Sequence, residues 1–160
     1  MKFLAITISA SLLFACSKPT ERSSNFNQEK EAILKVLNDE TEAAFQRDYE
    51  AWQDKWVHET YVCKTYLNFA DSTFSESLGW TAVAGFVKQF LTDHPDPEPS
   101  PALLNDIEVR LYSTGAFVTF QQMDQLRGLK RETRLMEKID GEWKIAGMHT
   151  TIYGKNLHSQ

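Results

Sequence analysis

Cysteine is scarce: Cys16 and Cys63 are the only two in 160 residues, too few for the disulfide framework of a small secreted scaffold. Glycine is sparse and scattered, so no Gly-rich loop could cradle phosphates, and no G-x-S-x-G nucleophile elbow occurs. The four histidines, His58, His94, His149 and His158, share no close ligand spacing, and no metal or other cofactor is expected. No carboxylate pair of glycosidase type can be picked out. Lys and Arg number 17 against 22 Asp and Glu, a formal charge of −5, and they form no cluster. That excludes nucleic acid as a partner. No apolar run is long enough to span a bilayer of about 30 Å. The length suits one domain.

Residues 1–15 read as a signal segment: Lys2 opens it, residues 3–14 are apolar, and the small Ala15 precedes Cys16. The closing Leu13-Phe14-Ala15-Cys16 resembles the signal of bacterial lipoproteins, which implies cleavage before Cys16 and a lipid on its thiol. The expected location is the bacterial cell envelope, with the domain anchored through that lipid and facing the periplasm or the cell exterior. Loss of Lys2 takes the formal charge from −5 to −6. Cys63, in an apolar-aromatic run, is then the remaining thiol and reads as a small buried hydrophobe. Residues 16–28, with Pro19 and Ser23-Ser24, read as a flexible tether.

Helical spacing of Ile33, Val36, Leu37, Glu40, Ala44 and Arg47 predicts a helix over 29–47. Asp48 predicts an N-cap for a second helix, 49–57, with Trp52 and Trp56 on one face. Residues 58–69 favour a strand and 71–77 a turn and short strand. Gly79 precedes a third helix, 80–91, with an apolar stripe of Val83, Phe86, Val87, Phe90 and Leu91. Four of the five prolines fall within 93–101, D-H-P-D-P-E-P-S-P. They make this segment stiff and extended, a surface connector or a lid. Strands are predicted at 104–112 and 116–125, and residues 155–160 as a loose tail.

The most informative stretch is 131–151, R-E-T-R-L-M-E-K-I-D-G-E-W-K-I-A-G-M-H-T-T. Asp140-Gly141 between two β-forming runs predicts a hairpin with a two-residue turn. Counting outward from Ile139 and Glu142 puts Lys138 with Trp143, Met136 with Ile145, Arg134 with Gly147 and Glu132 with His149 on one face. That face grades from a core floor into a polar pocket. A one-residue slip would reverse the faces. Three helices with one hairpin among them, followed by four antiparallel strands, argue an α+β domain over 29–154. Its three N-terminal helices would pack on a curved antiparallel sheet and leave a cone-shaped cavity.

This order, ending D-G-E-W-K-I-x-x-x-H, resembles the nuclear transport factor 2-like superfamily, nearest its SnoaL-like and kinase-association-domain-like branches. The resemblance covers residues 29–153, with R-D-Y-E-A-W at 47–52 a softer match. It implies a cone-shaped cavity, dimerisation through the sheet's outer face, and cavity-lining positions at Arg134 and His149. Such domains host isomerases, cyclases and dehydratases as well as non-enzymatic proteins. The expected function is therefore binding of a small polar or anionic molecule by Arg134, His149, Trp56, Tyr66 and Trp80. One alternative is a dehydratase, cyclase or isomerase using His149 with Glu132 as acid and base. An isomerase would instead draw a base from Glu59 or Asp71 and donors from Tyr61 and Tyr66. The other alternative is a structural homodimer without catalysis.

Overall fold

In the computed structural model, which describes residues 19–124 and 127–155, Asp140 and Gly141 have φ of 52° and 88°. Both are left-handed, as a two-residue hairpin turn requires. They join β5 (Gly128–Ile139) to β6 (Glu142–Gly154). Around that hairpin stand α1 (Pro19–Phe45), α2 (Tyr49–Gln53), β1 (Cys63–Asn68), β2 (Thr73–Leu78), α3 (Trp80–Asp93), β3 (Glu108–Leu111) and β4 (Gly115–Asp124). The predicted signal segment, Cys16 and the tail from residue 156 lie outside the described residues.

The strands form one six-stranded sheet in the order β2-β1-β6-β5-β4-β3. The fold is α+β, as expected, but the sheet is mixed. β1 runs parallel to β6, pairing Cys63 with Gly147 through Asn68 with Ile152. The reason is topological: the tight β5–β6 turn fixes the direction of β6, and β2 already occupies β1's other edge.

α1 begins at Pro19, so residues 19–28 are helical rather than a flexible tether. No glycine interrupts this stretch. Pro19 stands at the first helical position, where its missing N–H would have had no partner. Asp48 caps α2 as predicted, its Oδ1 accepting from the Ala51 N–H at 2.9 Å. α2 is shorter than expected because the chain leaves it to pair beside β6. Ile145 N donates to Lys55 O at 2.8 Å, and Val57 N donates to Ile145 O at 2.9 Å.

The core lies between the helices and one face of the sheet, built from Ile33, Leu37, Trp52, Val83, Val118 and Ile145 with their neighbours. Glu29 fixes α1 to the hairpin, accepting from Lys138 Nζ at 2.6 Å and Trp143 Nε1 at 2.7 Å. Arg47 fixes the proline segment, donating to His94 O at 2.7 Å and pairing with Glu98 at 2.5 Å. Among the described residues no helix is long and apolar enough to cross a membrane.

Candidate functional site

Near the turn the predicted register holds: Lys138 pairs with Trp143, Glu137 with Lys144 and Met136 with Ile145. The next pair is Leu135 with Gly147, which leaves Ala146 as an extra residue on β6. This bulge swings the rest of β6 by one position. Met148, Thr150 and Ile152 turn inward, and Gly147, His149 and Thr151 turn outward.

Two rows of inward side chains result. One runs Lys64, Met148, Arg134, Val118; the other runs Tyr66, Thr150, Glu132, Phe120. Neighbouring strands lie about 4.8 Å apart, so Lys64 and Arg134, two strands apart, have backbones about 10 Å apart.

Arg134 and Glu132 are 4% and 3% exposed. Arg134 Nη1 donates to Glu132 Oε2 at 2.6 Å, Thr150 Oγ1 donates to the same oxygen at 2.6 Å, and Lys130 Nζ lies 3.6 Å from Oε1. Burial pushes the Glu132 carboxyl up, but Arg134, Lys130 and Thr150 together hold it below the ordinary glutamate value. Burial likewise pushes Arg134 down, while Glu132, Glu40 and Tyr66 raise it above its ordinary value. The guanidinium also sits 5.7 Å over the Phe120 ring.

Across the interior, α1 contributes the buried Glu40. Its Oε1 accepts from Trp52 Nε1 at 2.7 Å and Trp56 Nε1 at 3.4 Å. Lys64, 7% exposed, has no carboxylate partner among the described residues. Its ammonium is ringed instead by Trp52, Tyr66 and Phe86, at 5.8, 5.1 and 5.4 Å from their centroids. Such cation–π contacts stabilise a cation by about 0.5–2 kcal/mol each and leave its hydrogen-bond donors unused.

Arg134 Nε is sealed from solvent without a partner, the one side-chain polar atom in that state among the described residues. The remaining unpartnered polar atoms of the cluster therefore border open space: Arg134 Nη2, Lys64 Nζ, Tyr66 Oη and Glu40 Oε2. Glu40, Trp52, Lys64, Tyr66 and Arg134 follow one another as neighbours on the inner side of the sheet.

Of the residues expected to bind, Arg134, Tyr66 and Trp56 lie on this inner side, with Trp56 almost fully buried. Trp80 is half-buried, stacked on Trp52 at 5.8 Å and under His58 at 3.9 Å. His149 does not join them. It is exposed on the outer face beside Thr133 and Thr65, with Nε2 3.3 Å from Thr151 Oγ1. The Glu132–His149 acid–base pair therefore does not form; Thr150 holds the place expected for His149. Glu59 and Asp71 are exposed, not set in an apolar pocket. Tyr61 is exposed and donates to Glu137 at 2.7 Å. Cys63 is half-buried on the outer face. Among the described residues no three His, Cys, Asp or Glu side chains converge to hold a metal ion.

Lys64, Glu40 and Thr150 are the participants that sequence reasoning missed. Glu40 did carry a signal, a carboxylate on the apolar stripe of α1. Lys64 carried one in its alternation with Val62 and Tyr66, both of which face the core side.

The outer face carries a groove of about 530 Å³. Tyr61, Cys63, Tyr112, Phe117, Leu135 and Ala146 line it.

No protein-family profile matches the chain, and no curated protein matches it. Solved structures do. A cystatin-like fold protein from Burkholderia xenovorans LB400 aligns with a TM-score of 0.62 at 16% identity, over 81% of this chain and 95% of that one. An NTF2-like protein of unknown function from Shewanella oneidensis MR-1 aligns with a TM-score of 0.56 at 21% identity, over 77% and 98%. A proposed dehydratase of the NTF2-like family from Streptomyces avermitilis aligns with a TM-score of 0.60 at 14% identity, over 79% and 96%. The chain has the NTF2-like fold. Identities this low establish the fold alone, so function has to be argued from the site.

Proposed function

We propose that this chain is a lipid-anchored cell-envelope protein that binds a small anionic molecule in the recess between helices and sheet. The anchor rests on Leu13-Phe14-Ala15-Cys16. The anion reading rests on one observation, the buried ammonium of Lys64 with no carboxylate beside it. Burying an unpaired charge costs several kcal/mol, and an incoming anion offsets that cost. Arg134 Nη2 adds a further unused donor on the same side of the sheet. Glu132 is engaged by Arg134 and Thr150, which disfavours a role as a free base.

Mass spectrometry of small molecules retained by the purified protein tests this reading, repeated on Arg134→Ala and Lys64→Met. The expected result is an anionic species carried by the wild type and lost from Lys64→Met. Retention of nothing, together with no melting shift from any small anion, overturns it.

A second reading, compatible with the first, is a homodimer through the sheet's outer face. Phe117, Leu135, Tyr61 and Tyr112 are all exposed around the outer groove, an apolar surface of the kind that partners cover. Sedimentation of the wild type against Leu135→Glu checks it: the expected outcome is a dimer that the charge converts to monomer.

A further inference from the structure

We infer that the ligand of this recess is a hydroxylated monocarboxylate, its acid group on Lys64 and Arg134 and its hydroxyl on Glu40. The inference rests on the anion-binding reading above and narrows it.

Glu40 is the informative residue. Both indoles that bind it donate to Oε1, at 2.7 and 3.4 Å, and Oε2 has no partner among the described residues. Glu40 is close enough to Arg134 to stabilise its charge, yet no ion pair within 4.0 Å joins them. A buried carboxylate oxygen facing a recess accepts a hydrogen bond from whatever enters; it does not tolerate a second carboxylate beside it. The ligand's negative end is therefore directed away from Glu40, towards Lys64 Nζ and Arg134 Nη2. A donor on the ligand is directed towards Glu40. Trp52 joins the two ends of the recess, donating to Glu40 through Nε1 while its ring lies 5.8 Å from Lys64 Nζ.

Charge decides which donor. The inner face and the helix over it carry four cations, Lys64, Lys130, Arg134 and Lys138, against three carboxylates, Glu29, Glu40 and Glu132. A single added negative charge balances them. An amino acid, neutral overall, would leave the surplus in place, and a dicarboxylate would overshoot it. A hydroxyl supplies the donor without adding charge. An unsubstituted acid balances charge but leaves Glu40 Oε2 desolvated, a loss that costs a site built around a polar group much of its affinity.

Calorimetry on the full chain tests this with two matched pairs, mandelate against phenylacetate and 3-hydroxybutyrate against butyrate. In the wild type at least one hydroxy acid is expected to bind about tenfold or more tightly than its partner, the scale of one hydrogen bond to a charged group. Glu40→Gln, which keeps the size and an oxygen for the indoles but removes the charge, is expected to bring that ratio within about threefold, with the unsubstituted acid binding at least as tightly as to the wild type. Lys64→Met is expected to weaken both members of the pair alike. Equal affinities in the wild type, or a preference that survives in folded Glu40→Gln, overturn the inference while leaving anion binding standing. Should neither pair bind, the inference falls; should the protein also retain no small anion, the anion reading falls with it. The wild-type ratio decides even if Glu40→Gln fails to fold.

Discussion

At its centre the two faces of this sheet depart from the usual sorting. Arg134 and Glu132 point inward at 4% and 3% exposure, whereas Leu135, between them and Met136 in the chain, points outward at 49%. Phe117 on β4 is likewise outside, beside Val118 inside. Polarity alone does not set which face of a strand is buried. The inner charges are held by partners of matched chemistry, a carboxylate for the guanidinium and indole donors for Glu40. The outer hydrocarbon has no such cover among the described residues. On the reading proposed above, one face is a receptacle for something small and the other a surface for a second copy of the chain.

Removing the residue that sets the faces is expected to have the largest effect. Deletion of Leu135, which separates the inward Arg134 from the inward Met136, would put Arg134 and Glu132 out of step with β4 and β6 and turn them outward. The expected outcome is loss of cooperative folding, visible as the absence of a thermal transition by circular dichroism. Next comes Arg134→Met, which leaves Glu132 buried without its guanidinium. A loss of about 3–5 kcal/mol in urea denaturation is expected. Adding Glu132→Gln to Arg134→Met is expected to recover most of it, because the uncompensated charge goes too.

Acid should act on the inner face in the same sense. Glu132 is held below the ordinary glutamate value of 4.5 in the folded state, burial being outweighed by Arg134, Lys130 and Thr150. Its contribution is therefore full above pH 4.5 and is lost as pH falls through the lower folded-state value. Urea midpoints measured from neutral pH downward should drop more steeply below pH 4.5 for the wild type than for Glu132→Gln. The smallest stability effect is expected on the outer face. Leu135→Glu, at a half-exposed site, should change monomer stability by about 0.5 kcal/mol or less while abolishing any self-association.

The same contrast marks how far the sequence was legible. Asp140-Gly141 announces its turn because few residue pairs tolerate left-handed φ, and the register near it follows by counting. Asp48 announces a cap through a local bond from a carboxylate to a free N–H. Beyond Leu135 counting fails, because nothing in Ala146-Gly147 marks an extra residue. The bulge sits where β6 leaves the Lys55–Val57 segment to run beside β1, contacts distant in sequence. A single slipped residue sent His149 outside and brought Thr150 in. Lys64 escaped notice for a related reason: its burial depends on Trp52, Tyr66 and Phe86 arriving from a helix, its own strand and a second helix. The proposed cell-envelope anchor rests on the sequence alone, since Cys16 lies outside the described residues.

Melting of three proteins with phenylacetate and mandelate as probes tests the inner-face account most directly: wild type, Lys64→Met and His149→Ala. The account predicts that an anion raises the melting temperature of the wild type and His149→Ala alike and leaves Lys64→Met unmoved. A shift that survives in Lys64→Met but vanishes in His149→Ala would contradict it, placing the anion on the opposite side of the sheet.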